Sequence, residues 1–333
     1  MKALVYTAPE TLEYDTVPHP GDAADLQAGD VLIRIDSVGI CGSDMHAYLG
    51  HDSRRPAPII LGHEAAGVVI GGDEDGRRVT VNPLVTCGRC RWCTGGRQNL
   101  CAHRQIISMP PRAGAFAEWL TMPLENLSTI PEHISFAQAS LAEPIACGWH
   151  AVQLASDTLW KTLSEVRALV IGGGPIGVGA ALSLRCHGTG KVLLVEPSEL
   201  RRDYLASQGE LDVRSPDAPE AQQGFDLVID CVGYAATRAQ ASRVVEPGGL
   251  IMHIGLAEAE GGLDTRRMTL QEIGFIGTYT YTPKEFRDVV SAIADGRLGK
   301  LEWIEQRSLA DGAQAFADIR AGRVAAPKII LNP

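Results

Sequence analysis

Short apolar runs separated by glycine and proline fill roughly the first 140 residues of the chain. The runs VLIRIDSVGI, AAGVVI and RVTVNPLV are rich in β-branched residues, and none extends into a long helical repeat. Runs of this kind, bounded by turn residues, are typical of antiparallel strands. The pattern therefore predicts an irregular, mostly antiparallel β-domain without a long helix.

A different rhythm begins near Arg167, where strand-like and helix-like segments alternate. The strand-like ALVIGGG is followed by PIGVGAALSLRCHG, then by KVLLVEP and by a predicted helix over about 199–207. Further along, FDLVIDCVG and GGLIMHIG flank ATRAQASRVV, whose apolar residues recur at helical spacing. Strands that alternate with helices predict a parallel sheet covered on both faces.

The pattern loosens again after Tyr281. It predicts one amphipathic helix, PKEFRDVVSAIADG, and a closing strand, PKIILNP. The order of segments suggests that the α/β unit is inserted between two parts of the β-domain, which composition alone does not reveal.

The composition is that of an ordinary globular protein. Of the 333 residues, 45% are hydrophobic and 21% are charged, and this length predicts two domains of about 100–200 residues. The net charge of −10 would repel nucleic acid and anionic lipid. The N-terminal MKALVYTAPETLEYD does not read as a signal peptide, so we expect a cytoplasmic protein without nucleic-acid or membrane partners. In that reducing compartment, clustered cysteines more often bind metal than form disulfides.

Four of the eight cysteines lie in CGRCRWCTGGRQNLC, residues 87–101, which we call the cysteine lobe. Cys87, Cys90, Cys93 and Cys101 follow the spacing C-x2-C-x2-C-x7-C. Four thiolates can close a tetrahedron around zinc with bonds of about 2.3 Å, and such a site has no open position. The spacing predicts a structural zinc site, with an iron–sulfur cluster as the main chemical alternative.

A second set of candidate ligands is scattered along the chain. Cys41 lies in GICGSDMH, His63 and Glu64 lie in LGHEAAG, and Glu143 lies in LAEPIACGWH. Cysteine, histidine and carboxylate are the ligand types of a catalytic zinc, which keeps one position for water or substrate. Each residue also has an ordinary alternative as a buried thiol, a core histidine or a helix-start carboxylate. Sequence spacing alone does not join them.

A glycine-rich turn predicts a dinucleotide site. Gly172, Gly174 and Gly177 form G-x-G-x-x-G between a predicted strand and a predicted helix, where the backbone can approach a pyrophosphate. Glu196 ends the next strand-like run, where a carboxylate can accept hydrogen bonds from ribose hydroxyls and would repel a 2′-phosphate. NAD is therefore favoured over NADP, although Arg201–Arg202 could turn toward a phosphate.

In this order the motifs resemble the zinc-containing medium-chain alcohol dehydrogenase family, particularly its polyol (sorbitol) and threonine dehydrogenase-like branch. The resemblance covers nearly the whole chain through GICGSDMH, LGHEAAGVV, the cysteine lobe, GAFAEW, EPIACGWHA, IGGGPIG and DCVG. It implies an α/β protein with a GroES-like β-domain and a Rossmann domain, a doubly wound parallel sheet, with the active site in the cleft. The implied bounds are 1–145 with 285–333 for the catalytic domain and 146–284 for the NAD-binding domain.

The resemblance also implies two zinc ions per chain. By position, Cys41, His63 and Glu143 correspond to ligands of the catalytic zinc. Glu64 corresponds to a residue that in some relatives coordinates the zinc when water leaves, and which glutamate binds in the resting state stays open. The cysteine lobe corresponds to the structural zinc site of the family, which some relatives lack.

Further roles follow from the same resemblance. Ser43 matches the hydroxyl that takes the substrate proton, and His46 matches the imidazole that passes it toward solvent. Ile176 and Arg201 match positions that touch the cofactor, and Gly255 is expected beside the nicotinamide. The implied reaction transfers hydride from a secondary alcohol to NAD, with zinc lowering the pKa of the hydroxyl, or runs in reverse.

One departure from the family pattern concerns the substrate. Thr278 precedes Tyr279 in TYTYTPKEF, where sorbitol dehydrogenases have an arginine, and this argues against sorbitol itself. Tyr279 is either a substrate or water contact or a packing residue. The loop AYLGHDSRRPAP contains His51, Arg54 and Arg55, which we interpret as a solvated charged loop, with contacts to an anionic substrate as the alternative. The remaining cysteines are expected to be inert core thiols: Cys147, Cys186 and Cys231.

The leading hypothesis is a zinc-dependent NAD oxidoreductase that acts on a secondary alcohol such as a polyol or a hydroxy amino acid. A threonine-type or phosphorylated-polyol dehydrogenase is the alternative among enzymes. A non-catalytic protein that binds NAD and zinc is the alternative from another class, and it is disfavoured because all the candidate ligands and proton-transfer residues are present. A homodimer or homotetramer is expected, as in relatives.

Overall fold

The N-terminal part of the chain forms antiparallel sheets, as the sequence predicts. The fold comes from a computed structural model that describes residues 1–21 and 29–333. One small sheet has the order β2–β1–β4: β2 (Thr11–Thr16), β1 (Lys2–Ala8) and β4 (Ile59–Ile60). A short pair consists of β7 (Leu84–Val85) and β8 (Gln105–Ile106).

The larger sheet of this part joins the two ends of the chain. Its path of neighbouring strands is β10 (Leu127–Thr129), β6 (Arg78–Val81), β5 (Glu64–Ile70), β3 (Asp30–Gly39), β18 (Lys328–Asn332) and β17 (Ile304–Ser308). A further strand, β9 (Trp119–Pro123), pairs with the first half of β3. The C-terminal β18 pairs with the last residues of β3, so the final strand of the chain lies beside the turn that leads into Cys41.

The middle of the chain forms a parallel sheet. In spatial order its strands are β13 (Val213–Arg214), β12 (Lys191–Val195), β11 (Arg167–Ile171), β14 (Phe225–Asp230), β15 (Val245–His253) and β16 (Gly274–Gly277). Numbered along the chain, this is the order 3-2-1-4-5-6 of the Rossmann fold. The order reverses between β11 and β14, which is where such sheets bind ligands at the carboxyl ends of their strands.

Both faces of the parallel sheet are buried, because successive side chains of a strand point to opposite sides. Along β11, Ala168 and Val170 belong to one apolar cluster, whereas Leu169 and Ile171 belong to another. A separate cluster fills the β-rich part and includes Ile33 and Phe116. The predicted parallel sheet with two covered faces is confirmed.

Helices connect and cover these sheets: α1 (Gly42–Tyr48), α2 (Arg91–Thr94), α3 (Phe136–Ser140), α4 (Ala142–Thr158), α5 (Pro175–Cys186), α6 (Glu199–Gln208), α7 (Ala235–Val244), α8 (Thr265–Leu270), α9 (Pro283–Ala294) and α10 (Gly312–Arg320). Sequence reasoning expected only one helix after Tyr281 and missed α10, which buries little more than Ala315 and Phe316. Within the described residues, no helix has the length and apolarity needed to cross a bilayer.

Helix α4 carries Glu143 and packs closely on α5. A Cβ atom added to Gly148 of α4 would lie 2.5 Å from the backbone nitrogen of Ala180, and one added to Gly179 of α5 would lie 2.9 Å from Cα of Ile145. Real Cβ contacts are not this short, so the two glycines let the helix backbones meet directly. The N-terminal end of α4 is therefore held in a fixed position relative to α5.

Candidate active site

Three of the scattered candidate ligands meet at the end of β3 and the start of β5. The ligand atoms of Cys41, His63 and Glu64 all lie within 4.8 Å of one another. The strand register explains the meeting, since Gly39 of β3 pairs with Glu64 of β5 and Cys41 follows two residues later. A thiolate, an imidazole and a carboxylate at this spacing fit the donor set of a zinc ion.

Glycine at position 39 leaves room for the Glu64 carboxylate. A Cβ atom at this position would lie 2.0 Å from Oε2 of Glu64. Any larger residue here would displace the carboxylate from its place beside His63.

Lys328, from the last strand of the chain, pairs with Glu64. Its Nζ lies 2.6 and 2.5 Å from the two carboxylate oxygens and donates to the backbone oxygen of Ile40 at 2.7 Å. Both side chains are fully buried. Burial alone would lower the pKa of Lys328, but Glu64 and Cys41 raise it above the ordinary value, so this ammonium is charged.

Glu143 lies near these residues but outside the group of atoms within 4.8 Å. Its Oε1 accepts a hydrogen bond from the Tyr281 hydroxyl at 2.9 Å. Burial raises the pKa of Glu143 to about 7, with nearby His63 opposing the shift and Glu64 adding to it. The site thus contains two carboxylates and a thiol beside one lysine and one histidine. A bound divalent cation would balance the negative charge that remains.

Asp44 supports His63 from the far side. Its Oδ1 lies 3.4 Å from Nδ1 of His63, and its carboxylate accepts from the backbone nitrogens of Cys41 (3.0 Å) and Gly62 (3.2 Å). Burial alone would raise the pKa of Asp44, but His63 and these contacts lower it, so the group is ionised. A carboxylate behind a ligand histidine orients the ring and raises its basicity.

Ser43 and His46 follow Cys41 on α1. Nη2 of Arg55 lies 3.5 Å from Oγ of Ser43, and His46 is exposed, with its ring centre 6.4 Å from that of His51. Arg55 itself is only 3% exposed and pairs with Asp52 at 2.5 Å. The expectation that Arg55 belongs to a solvated loop is therefore wrong: ion pairing compensates the burial of its charge.

Arg54 and Tyr279 lie at the rim of this region. The Arg54 side chain is 60% exposed and pairs with Asp52, in agreement with a solvated charge. The Tyr279 ring lies under the guanidinium of Arg104, 4.9 Å from its centre, and Nε of Arg104 donates to the Tyr279 hydroxyl at 3.3 Å. Tyr279 is thus held by the segment just after the cysteine lobe.

The cysteine lobe brings its four sulfurs together without a disulfide. All eight cysteines of the chain are described and free. The Sγ atoms are 3.5 Å apart for Cys90 and Cys93, 3.5 Å for Cys87 and Cys101, and 4.0 Å for Cys87 and Cys93. The edge of a tetrahedron with Zn–S bonds of about 2.3 Å measures about 3.8 Å. The spacing of the sulfurs therefore fits a four-thiolate zinc site.

The thiols of the lobe differ in acidity. A hydrogen bond from the backbone of Cys93 lowers the pKa of Cys90 to about 6, whereas burial raises the pKa of Cys93 to about 12. Burial thus favours the protonated thiol at Cys93, whereas backbone hydrogen bonds favour the thiolate at Cys90. Metal binding would supply the missing positive charge and release the remaining protons.

The glycine turn after β11 has the geometry of a dinucleotide loop. Gly172 has a φ of +106°, and a Cβ at Gly177 would lie 1.8 Å from the Gly172 carbonyl oxygen. A Cβ at Gly174, by contrast, would meet nothing within 4 Å, and Gly174 is the N-cap of α5. Ile176 follows in the first turn of this helix. Open space at a helix N-terminus suits a pyrophosphate.

Glu196 closes over this turn from the end of β12. Its Oε2 accepts from the backbone nitrogen of Gly173 at 2.8 Å and its Oε1 from that of Ser198 at 2.9 Å. The following arginines contact backbone oxygens: Nη2 of Arg201 is 3.4 Å from that of Val324, and Nη1 of Arg202 donates to those of Glu196 and Pro197.

His253 ends β15, and Gly255 follows two residues later. A Cβ on Gly255 would lie 2.1 Å from the carbonyl carbon of Val232, so the segments after β14 and β15 touch through this glycine. His253, for which the sequence indicates no definite role, has its Nδ1 3.3 Å from Oδ2 of Asp230. Asp230 also accepts from the backbone nitrogens of Val232 and Gly233, which fixes the turn after β14.

Sequence reasoning missed three residues that shape the site: Asp44, Tyr281 and Lys328. Of these, only Asp44 carries a local signal, because it lies three residues after Cys41 in the same motif. The other two reach the site through the tertiary fold.

Fold and site together define the class of the protein: a dehydrogenase that binds zinc and a nicotinamide dinucleotide. Residues 27–132 match the family described as alcohol dehydrogenase GroES-like domain, and residues 175–295 match the zinc-binding dehydrogenase family. A sorbitol dehydrogenase of Bacillus subtilis (strain 168) is 32% identical over 317 residues, which cover 89% of this chain and 87% of that protein. The chain therefore belongs to the zinc-containing medium-chain alcohol dehydrogenase family.

Two further proteins extend the comparison. An L-galactonate-5-dehydrogenase of Escherichia coli (strain K12) is 31% identical over 315 residues, covering 90% of this chain and 88% of that protein. The solved structure of an alcohol dehydrogenase from Thermus sp. ATN1 superimposes with a TM-score of 0.86 at 25% identity, covering 100% of this chain and 99% of the other. The predicted α/β architecture of a GroES-like and a Rossmann domain is confirmed.

Proposed function

We propose that this protein oxidises a secondary alcohol of the polyol type with NAD and reduces the corresponding ketone in the reverse direction. The observation that carries the proposal is the meeting of Cys41, His63 and Glu64 within 4.8 Å, with Glu143 nearby on a helix that packs directly on the dinucleotide helix α5. When bound at these residues, zinc would act as a Lewis acid on the substrate hydroxyl.

The residues of this chain would manage the proton and the alignment. Ser43 is proposed to take the proton of the substrate hydroxyl, with Arg55 fixing its Oγ from 3.5 Å. His46, exposed on the same helix, is proposed to pass that proton to solvent. Close packing between α4 and α5 would hold the reacting carbon in line with the nicotinamide, which Gly255 is proposed to border.

The proposal includes two zinc ions per chain. Sulfur separations of 3.5–4.0 Å support a structural ion in the cysteine lobe. For the catalytic ion we propose Cys41, His63 and Glu143, with Glu64 as the exchangeable carboxylate. The pairing of both Glu64 oxygens with Lys328 supports this division, since a carboxylate bound to an ammonium is less available to a metal.

A preference for NAD over NADP is supported by the position of Glu196. Its carboxylate lies against the glycine turn, bonded to the nitrogen of Gly173, where a 2′-phosphate would meet its negative charge. Of the two following arginines, Arg201 contacts the backbone oxygen of Val324 and Arg202 that of Glu196.

Two observations support a polyhydroxylated substrate. The relatives described above are named for sorbitol and L-galactonate, a sugar alcohol and a sugar acid. The exposed Arg54 at the rim could face either hydroxyl groups or a carboxylate.

We also propose that the chain forms two domains, a catalytic domain of residues 1–145 and 285–333 and an NAD-binding domain of residues 146–284. The membership of β17 and β18 in the sheet of β3 supports this division, although α4 runs across its first boundary. A cytoplasmic location and a homodimer or homotetramer complete the proposal.

Turnover by zinc-loaded protein tests the proposal. Sugar alcohols, sugar acids, diols, simple secondary alcohols, a phosphorylated polyol and L-threonine are offered with NAD and, separately, with NADP, and reduced cofactor is followed by its absorbance. We expect the highest kcat/KM with a polyol-type substrate and NAD. If every compound is inert while NAD still binds, the protein is a binding protein; if only L-threonine or the phosphorylated polyol reacts, the substrate proposal is wrong.

A further inference from the structure

A buried amide links the cysteine lobe to the middle of helix α4. Asn99 lies two residues before Cys101 and is 1% exposed. Its Nδ2 donates to the backbone oxygen of Tyr279 at 2.8 Å and lies 3.5 Å from Nε2 of His150. One amide group therefore contacts both the segment after β16 and a buried imidazole of α4.

The imidazole continues the link to helix α9. Nδ1 of His150 lies 2.9 and 3.0 Å from the two carboxylate oxygens of Glu285. Because a carboxylate only accepts hydrogen bonds, Nδ1 carries the hydrogen, and in the neutral ring Nε2 is left to accept from Asn99. Glu285 also accepts from the backbone nitrogen of Thr282 at 2.7 Å, which closes the capping box at the start of α9.

Tyr281 lies between these two attachment points. Tyr279, two residues before it, is held by Asn99, and Thr282, directly after it, is held by Glu285. The Tyr281 hydroxyl donates to Glu143 at 2.9 Å. Any shift of the segment 279–285 would therefore move the group that orients the Glu143 carboxylate.

The backbone between the attachment points is strained. Thr280 has a φ of +47°, a left-handed conformation that is unfavourable for a β-branched residue. Such a conformation persists only where the surroundings enforce it. The bonds from Asn99 and Glu285 on either side are constraints of this kind.

We propose that Asn99, His150 and Glu285 form a positioning network through which the cysteine lobe fixes Tyr281, and through it the Glu143 carboxylate, at the open metal site. The inference rests on the proposed function only in treating Glu143 as a residue of that site. None of the three residues is catalytic. They act by holding the segment 279–285 between the cysteine lobe, α4 and α9.

Release of metal from the open site tests the network without requiring turnover. The full chain is loaded with cobalt, whose absorbance distinguishes a four-thiolate site from a mixed-ligand site, and release to a chelator is followed for wild type and Asn99→Ala. We expect Asn99→Ala to speed release from the mixed-ligand site about tenfold, as for other residues that orient ligands. The four-thiolate absorbance should be unchanged. Asn99→Leu, which keeps the branching at Cγ although the side chain is larger, repeats the test without a cavity.

A double-mutant cycle separates positioning from general stability. Tyr281→Phe removes only the hydroxyl that meets Glu143, so it should speed cobalt release to a similar extent, and combining it with Asn99→Ala should add little. His133→Ala serves as the matched control, since His133 lies 3.0 Å from the oxygen of Ala294 at the opposite end of α9 and should leave release unchanged. Additive effects, or unchanged release in both Asn99 variants, would overturn the network. A protein that oxidises no alcohol but shows the non-additive release would refute the proposed function alone.

Discussion

The two predicted metal sites of this chain are built in opposite ways. The cysteine lobe takes its four ligands from residues 87–101, and its sulfurs lie 3.5–4.0 Å apart around a turn that the local sequence folds. The open site brings together Cys41 from the end of β3 with His63 and Glu64 from the start of β5, its proposed further ligand Glu143 comes from α4, and its counter-ion Lys328 comes from the last strand. A local site can be recognised by spacing, whereas an assembled site depends on strand register and helix packing.

The difference also separates their chemistry. Four thiolates fill the coordination sphere of zinc, so the lobe can only hold its own segment and its neighbours together. The open site combines three kinds of donor with a second carboxylate nearby, and a catalytic zinc site with such donors keeps one position for water or substrate. Because its parts come from β3, β5, α4 and the last strand of the chain, small displacements far from the ligands should reach it.

The largest effect is expected from Cys41→Ala. Removing this ligand should abolish binding of one metal ion per chain and lower kcat/KM by at least about 10³-fold, because a Lewis acid contributes several kcal/mol to the transition state. Metal content and steady-state kinetics measure the two losses. Cys186→Ala is the matched control, since this half-buried thiol lies beside Arg297 rather than at the site. Activity retained in Cys41→Ala would refute its assignment and leave the lobe as the only metal centre among the candidates.

The next effect concerns the buried ion pair of the open site. Lys328→Met leaves the Glu64 carboxylate buried without its partner, which should cost about 3–5 kcal/mol in the free energy of unfolding, measured in denaturant on metal-free protein. Adding Glu64→Gln removes the uncompensated charge and should recover at least half of the loss. Lys284→Met breaks an exposed pair with Asp288 and should cost no more than about 0.5 kcal/mol. Equal losses in Lys328→Met and Lys284→Met would show that the buried pair has no special role.

The same contrast explains what could be predicted from the sequence. Alternation of strands and helices sufficed for the parallel sheet, because each βαβ unit is local and its glycine turn has a fixed spacing. The ligand types at Cys41, His63 and Glu143 were recognisable, but their meeting followed only from resemblance to a family. The structure adds the register of Gly39 with Glu64, which places two of them together.

Other features had no readable signal. Lys328 lies in an apolar strand, where a single lysine gives no indication that its ammonium is buried against Glu64. Tyr281 is one of several aromatic and threonine residues in TYTYTPKEF, and only the packing of α9 on α4 selects its hydroxyl as the partner of Glu143. Arg55 was misinterpreted because adjacent arginines in a polar loop are usually solvated, whereas its pairing with Asp52 allows burial. The strand β17 was not predicted because its IEQRS sequence is polar.

The smallest expected effect tests whether the open site depends on the packing of α4 on α5. In a helix interior, replacing glycine with alanine normally stabilises by about 1 kcal/mol. At Gly148 the added Cβ would lie 2.5 Å from the backbone nitrogen of Ala180, and overpacking of this kind costs about 1–3 kcal/mol, so Gly148→Ala should lower the melting temperature and raise KM for NAD. Gly277→Ala is the control, because a Cβ there meets nothing within 4 Å. If Gly148→Ala melts no lower than Gly277→Ala and binds NAD normally, then α4 and α5 can separate without consequence, and the position of Glu143 is set by its neighbours in the site alone.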